Sequence, residues 1–310
     1  MASPVQSAIG ALVIELFFAF ILYGFTTLQT FMYYQMYPDD KRTIKYLVGA
    51  VWIIETLHTG FCMEYLYAYL VTGFGDLRYL QHVNWGVGGS ALCSVGASLC
   101  VQSYYTWRIW IVSGKSKIWT GLIGACVVIR VALGIGTFAQ AYIYPEWLVL
   151  RQTTSTFVTF SGGLGMAALV DVLVAGGLSL HLTRNRHLWN RDSESMVNRI
   201  LIYSVNTGAI TGVTSLMCAI LFVVPDTGLA FLGLTMMQTK LYANSLLGSL
   251  NARSYVRNKG SNPGGHMFST QLSGGTGSGL RVTSPRVPRG AVERCPSSAD
   301  RNPPIDDDRT

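Results

Sequence analysis

The chain has 310 residues, 50% of them hydrophobic and only 13% charged, with a mean hydropathy of +0.34. Soluble globular domains carry about a quarter charged residues, so that class is excluded for most of the length. The net charge of +7 would suggest nucleic acid in a soluble protein, but the placement of the basic residues explains it better, and no nucleic-acid partner is expected.

The N-terminal MASPVQSAIG lacks the basic region of a cleaved signal peptide, so the apolar run after it reads as a retained span. Seven runs reach spanning length, at roughly 9–34, 45–70, 83–111, 118–142, 157–182, 198–223 and 228–252. They do not alternate apolar and polar residues as barrel strands would, and no proline interrupts any of them near its middle. Residues 257–310 are rich in Pro, Gly, Ser, Arg and Asp and poor in large aliphatics. Such a segment cannot bury enough apolar surface to offset its chain entropy. The expected fold is all-α, an integral membrane bundle of seven transmembrane helices over 1–256, with a disordered tail over 257–310.

Lys and Arg set the orientation, because cytoplasmic connections carry the excess. The first connection has Lys41, Arg42 and Lys45. The third has Arg108, Lys115 and Lys117, and the fifth has Arg184, Arg186, Arg191 and Arg199. The tail is basic from Arg253 to Arg309. By contrast, the second connection has only Arg78, the fourth only Arg151, and residues 224–227 none. The N-terminus is therefore expected outside and the C-terminus in the cytoplasm, with the plasma membrane as the expected location. Tyr33, Tyr34, Tyr37, Trp107, Trp110 and Trp119 stand at span ends, where amphipathic rings favour the headgroup layer.

Five of the six cysteines fall inside apolar runs and Cys295 falls in the tail, with no paired metal spacing. Neither a disulfide nor a zinc site is expected. The third run has small residues at Gly86, Ser90, Ser94 and Ser98, and the fifth has Gly162, Gly163, Gly165, Ala167, Gly176 and Gly177. Small side chains let helices approach closely in lipid, and packing is the favoured reading over a hinge.

Ionisable residues inside spans are costly there and mark candidate sites. Glu15, Glu55, His58, Glu64, Arg130, Asp171 and Lys240 are of this kind. At the helical rise, Glu55 lies about 15 Å and Lys240 about 13 Å from the cytoplasmic edge, which suggests that they pair. Arg130 lies at about 18 Å and Asp171 at about 10 Å on adjacent spans, within reach of a long arginine. Glu55, His58 and Cys62 share one face of the second helix. A proton relay or cation site could be built there. A histidine fixing packing through a Ser, Thr or carbonyl partner is the favoured reading. Lys240, Asn244, Gly248 and Asn251 form a polar face on the seventh helix, answered by Asn206, Thr207, Thr211 and Ser215 on the sixth. These faces turn inward, either lining a cavity or knitting the bundle.

No G-x-S-x-G, phosphate loop or H-E-x-x-H is present, so no enzyme, cofactor or metal is expected. DVLVAGGLSLHL (Asp171–Leu182), NRILIYSVNTGAITGVTSL (Asn198–Leu216) and KLYANSLLGSLNAR (Lys240–Arg253) resemble a family of basidiomycete fungal multipass membrane proteins. YYQMYPDDKRTIKYLV, ETLHT and WRIWIVSG resemble the same family. Its C-terminal block, about 170–256 here, is catalogued only as a domain of unknown function. The resemblance implies seven spans ending in a cytoplasmic tail and carries over no site residue. A receptor-like or sensory protein is the leading expectation. It calls for a lipid bilayer, a small ligand and a cytoplasmic signalling partner, while the oligomeric state is left open. Transport of protons or a small solute is the alternative, and retinal on Lys240 is a remote one. The hypothetical polar interior comprises Glu55, His58, Arg130, Asp171, Lys240 and Asn244.

Overall fold

Apolar stretches of this length have one economical way to satisfy their backbone groups away from water, which is the helix. A computed structural model describes the backbone of residues 4–184, 208–224 and 228–261. These residues are helical throughout apart from short connections. The helices are α1 (Pro4–Met36), α2 (Arg42–Tyr67), α3 (Leu77–Gln81), α4 (Trp85–Val112), α5 (Lys117–Ile143), α6 (Trp147–Gln152) and α7 (Thr154–Arg184). The described part of α8 is Gly208–Val223, and α9 spans Ala230–Ser261. A π-helical turn, Ala68–Thr72, extends α2. The chain divides into two units, Met1–Gly265 and His266–Thr310, and the second lies outside the described residues. So do the expected tail disorder and Arg186, Arg191, Arg199, Asn206 and Thr207.

Among the described residues, four helices are long and apolar enough to cross a membrane: Ile9–Met36, Arg42–Thr72, Lys117–Ile143 and Thr154–His181. They mark the chain as a membrane protein. Their outer faces carry exposed Ile14, Phe17, Phe18, Phe25, Val128, Ile129 and Val172, which suits hydrocarbon and not water. α4 and α9 are as long but more polar, and α9 has a physical reason. From Leu229 to Leu250 it is buried around most of its circumference. It packs along α1 and against α2 and α4, so its polar residues meet protein and not lipid.

The second and fourth connections, read from the sequence as plain loops, hold the short helices α3 and α6. The Asp76 carboxylate accepts from the Arg78 and Tyr79 amides at 2.9 and 3.3 Å and caps α3. The Asn84 side chain accepts from the Gly86 amide at 2.6 Å and opens α4. Tyr69 joins the two connections: its hydroxyl donates to the His82 carbonyl at 2.9 Å and accepts from the Asn84 amide and the Trp147 indole.

The small-residue ridge of α4 packs and also bonds. A Cβ at Gly86 would collide with Glu64 of α2. Ser94 and Ser98, however, make inter-helix hydrogen bonds. In α7, Gly162 and Gly163 meet Leu133 at ordinary contact distance, and the helix runs unbroken. Tyr33 departs from the expected interfacial role. It is fully buried and its hydroxyl donates to Asp40 Oδ2 at 2.9 Å.

That bond belongs to a clamp at the end of the bundle. Arg253 of α9 grips Asp40, with Nη2 2.6 Å from Oδ2 and Nη1 3.4 Å from Oδ1, and stacks 4.5 Å from the centre of the Tyr37 ring. Burial alone would raise the Asp40 carboxyl, but the bonds from Arg253 and Tyr33 outweigh it and hold it below its ordinary 3.8. A lowered folded-state value gives stability that is present above the unfolded value and lost as pH falls through the folded one. The clamp is therefore expected to hold near neutrality and open below about pH 4. Asp40→Asn should remove that acid-dependent step from an unfolding titration, at a cost near neutrality of about 1 kcal/mol for a part-buried pair near the surface.

Candidate functional site

Lys240 sits in the middle of α9 and is completely buried, as are Glu55 and His58 of α2. Its ammonium has three hydrogens to place and three acceptors around it. Glu55 Oε2 lies 2.7 Å away, Thr59 Oγ1 2.7 Å and the Glu55 carbonyl 3.1 Å. The Tyr23 ring centre stands 5.3 Å away. Thr59 in turn donates to the Glu55 carbonyl at 2.8 Å, which leaves its lone pair for Lys240. The helical spacing of Glu55 and Thr59 puts both on the face that meets α9. The ion pair expected from matched depth is thus present. Both side chains are fully buried.

His58 stands beside the pair without joining it. Its Nε2 lies 3.1 Å from Ser94 Oγ of α4, which is 2.7 Å from Thr239 Oγ1 of α9. Its Nδ1 lies 3.8 Å from Cys62 Sγ. Both ring nitrogens have partners, and the arrangement joins α2, α4 and α9. Asn244 is also a fastening. Its amide nitrogen donates to the Leu22 carbonyl and Thr26 Oγ1 of α1, each at 3.0 Å, and to the Lys240 carbonyl at 2.9 Å. Farther along the same face, Asn251 donates to the Gln29 carbonyl at 2.8 Å. Of the two readings of this polar face, knitting is the one found.

The second expected pair does not form. Asp171 Oδ2 of α7 accepts from Tyr242 of α9 at 2.7 Å and from Thr211 of α8 at 2.6 Å. Tyr242 occupies the space between Asp171 and Arg130, whose guanidinium carbon lies 4.9 Å from the centre of that ring. Arg130 Nη2 donates to Ser98 Oγ at 3.1 Å. Sequence depth placed Arg130 and Asp171 on neighbouring helices but could not show a tyrosine from a third helix inserted between them.

Arg130 leads to a partly open cavity of about 150 Å³, bounded by α4, α5, α6, α7, α9 and the described part of α8. One end is lined by Ser98, Gln102, Arg130 and Tyr242, and the other by Trp147, Leu150, Phe160, Phe222 and Phe231. The register of α4 against α5 and α9 separates these ends by about 16 Å at the helical rise. Most of the wall is apolar. Three of its polar residues are under-satisfied among the described residues. Gln102 is 2% exposed, yet both its amide atoms lack a hydrogen-bond partner. Arg130 Nη1 and the hydroxyl of Thr156, itself 1% exposed, also lack one. Buried polar groups usually find partners, so several unmet ones on one cavity wall are informative.

Of the six residues expected to form a polar interior, only Arg130 lines this cavity. Asp171 borders a smaller one of about 20 Å³, beside Gln102, Tyr105 and Ser245. Glu55, His58, Lys240 and Asn244 are inter-helix fastenings, and Lys240 lines neither cavity. The sequence reading missed Gln102, although it had a signal. Gln102 continues the spacing of four through Gly86, Ser90, Ser94 and Ser98, which defines the stripe of α4 that faces inward. The aromatic end carries no such periodic signal, because Trp147, Phe160, Phe222 and Phe231 come from four elements.

A family of unknown function (DUF6534) matches residues 167–255, covering the described parts of α8 and most of α9 together with the C-terminal half of α7. No curated protein and no solved structure matches the chain.

Proposed function

We propose that the protein is a receptor-like, multi-pass membrane protein that binds a small, mostly apolar molecule among its helices. One observation carries this reading: the cavity of about 150 Å³ with an apolar body and under-satisfied polar residues at its end. Ligand sites have this character, a hydrophobic wall with a few placed polar groups. α9 supplies Gln238, Thr239 and Tyr242 to the cavity wall and Arg253 to the clamp on Asp40. One helix therefore carries the binding surface and the contact at the bundle's end. In this reading seven helices cross the plasma membrane with the N-terminus outside, as the distribution of Lys and Arg supports. The clamp then faces the cytoplasm, where a signalling partner would read it.

A cavity of this volume takes a benzene-sized molecule. Toluene should raise the unfolding midpoint of the full chain in nanodiscs and leave Ala91→Phe, which fills the cavity, unmoved. An equal response of both proteins would remove the cavity as the site. The transport alternative needs a route past the closed Lys240–Glu55 pair. Proteoliposomes should show no proton or solute flux above empty liposomes. A flux that Glu55→Gln abolishes would replace the receptor reading with transport.

A further inference from the structure

We infer that the cavity selects an anionic amphiphile, with a carboxylate or similarly acidic head at Arg130 and Gln102 and a short, slender apolar body toward Trp147 and Phe231. This deepens the small-molecule reading and rests on it.

The charge is the first argument. Arg130 lies well inside α5 and has no carboxylate within ion-pair distance among the described residues. Its recorded contacts are the Ser98 hydroxyl and the face of Tyr242. The other deep cation, Lys240, has a carboxylate at 2.7 Å. An intramembrane cation is costly unless it is paired or hydrated. Arg130 is thus the deep charge whose counterion the described residues do not supply directly, and it lines the cavity of about 150 Å³.

The hydrogen-bond inventory is the second. Arg130 Nη1 is a donor without an acceptor, and the Gln102 amide nitrogen beside it is another. A carboxylate offers acceptor sites only and suits a guanidinium's fork. An ammonium head would meet the guanidinium as a like charge. A neutral hydroxyl could accept from both donors and donate to Gln102 Oε1, but it would leave the charge unmatched.

The shape is the third. The acidic head would sit at the end lined by Ser98, Gln102 and Tyr242. The opposite end, about 16 Å along the helices, is mainly aromatic and aliphatic, with Thr156 among its few polar residues. The volume of 150 Å³ is that of a benzene-sized site, and because the cavity is partly open a slender eight-carbon acid can extend beyond it. A free acid from the aqueous phase and one partitioned into the bilayer present the same head. Titrations at two lipid-to-protein ratios separate them, since only a bilayer-borne ligand is diluted by added lipid.

The test uses the full chain in nanodiscs, titrated with octanoate, 1-octanol and octylamine and followed by the unfolding midpoint. Ala91→Phe supplies the lipid-perturbation background. Octanoate should bind wild type at least tenfold more tightly than octanol, and octylamine more weakly than either. Arg130→Gln should abolish the preference while octanol binding persists, and Arg130→Lys should restore part of it. If Arg130→Gln does not fold, Gln102→Leu is the second variant, with an expected loss of severalfold for octanoate only. Equal binding of octanoate and octanol by wild type would overturn the acidic head and leave the apolar site standing. It would mean that Asp171 neutralises Arg130 through Tyr242. Failure of all three probes to separate wild type from Ala91→Phe would overturn both readings.

Discussion

Lys240→Met is expected to destabilise the bundle by about 3–5 kcal/mol, because it strands the buried Glu55 carboxylate without its ammonium partner. Glu55 is fully buried, and its Oε1 already has no donor. Removing the ammonium deprives the carboxylate of its one opposite charge, 2.7 Å away. Glu55→Gln should cost less, since the Lys240 ammonium keeps Thr59 Oγ1 and the Glu55 backbone carbonyl as acceptors. The double variant Lys240→Met/Glu55→Gln should be milder than the sum of the singles, with a coupling of about 1–3 kcal/mol. The measurement is reversible unfolding in mixed micelles for all four proteins. Strict additivity would mean that the 2.7 Å contact contributes no coupling.

Arg151→Met should be nearly as damaging, by about 2–4 kcal/mol, given that bonds to a charged group are worth about 1.5–3 kcal/mol each and do not add fully. The guanidinium of Arg151, at the end of α6, closes the C-terminal end of α8. Nη2 donates to the carbonyls of Phe222 at 2.8 Å, Val224 at 2.7 Å and Leu221 at 3.1 Å. Nε reaches the Phe222 carbonyl at 3.1 Å, and Nη1 reaches that of Gly228 at 3.2 Å. The last carbonyls of a helix have no partner within it and form its negative end, so a cation with several donors suits them. The Phe231 ring lies 5.2 Å from the guanidinium carbon, adding the attraction of a cation for an aromatic face. Lysine cannot reproduce this fork, and Arg151→Lys should recover less than half of the loss. Hydrogen exchange should show the effect locally, as lost protection over the end of α8 and the start of α9. Unchanged protection there would refute the capping role. Because Phe222 and Phe231 also line the cavity, this variant should weaken toluene binding as well.

Arg151 shows what a count of charges conceals. In the sequence it stood out as a lone basic residue in a connection otherwise free of them, and that scarcity helped to set the orientation. Its bonds to four carbonyls depend on how α6, α8 and α9 converge, which no local pattern encodes. Lys240 and Glu55 behaved differently. A buried ammonium needs an anion, few anions lie near its depth, and helical rise put Glu55 nearest. The same depth reasoning failed for Arg130 and Asp171, because depth fixes height along the bundle and not the angle around it. Tyr242, a residue with no charge to draw notice, took the place between them.

The sequence by itself determined the helical class, the long apolar segments, the inward turn of polar faces and the partner of Lys240. Each follows from a one-dimensional rule: backbone bonds must be satisfied in lipid, and the period and rise of a helix place residues on faces and at heights. Only the tertiary structure decided that α9 is the enclosed helix, that Asn244 and His58 fasten helices together, and that the cavity lies at Arg130 and Gln102. Those outcomes depend on which helices are neighbours and how each is rotated, and a cavity is a property of the gaps between helices that no single one of them carries.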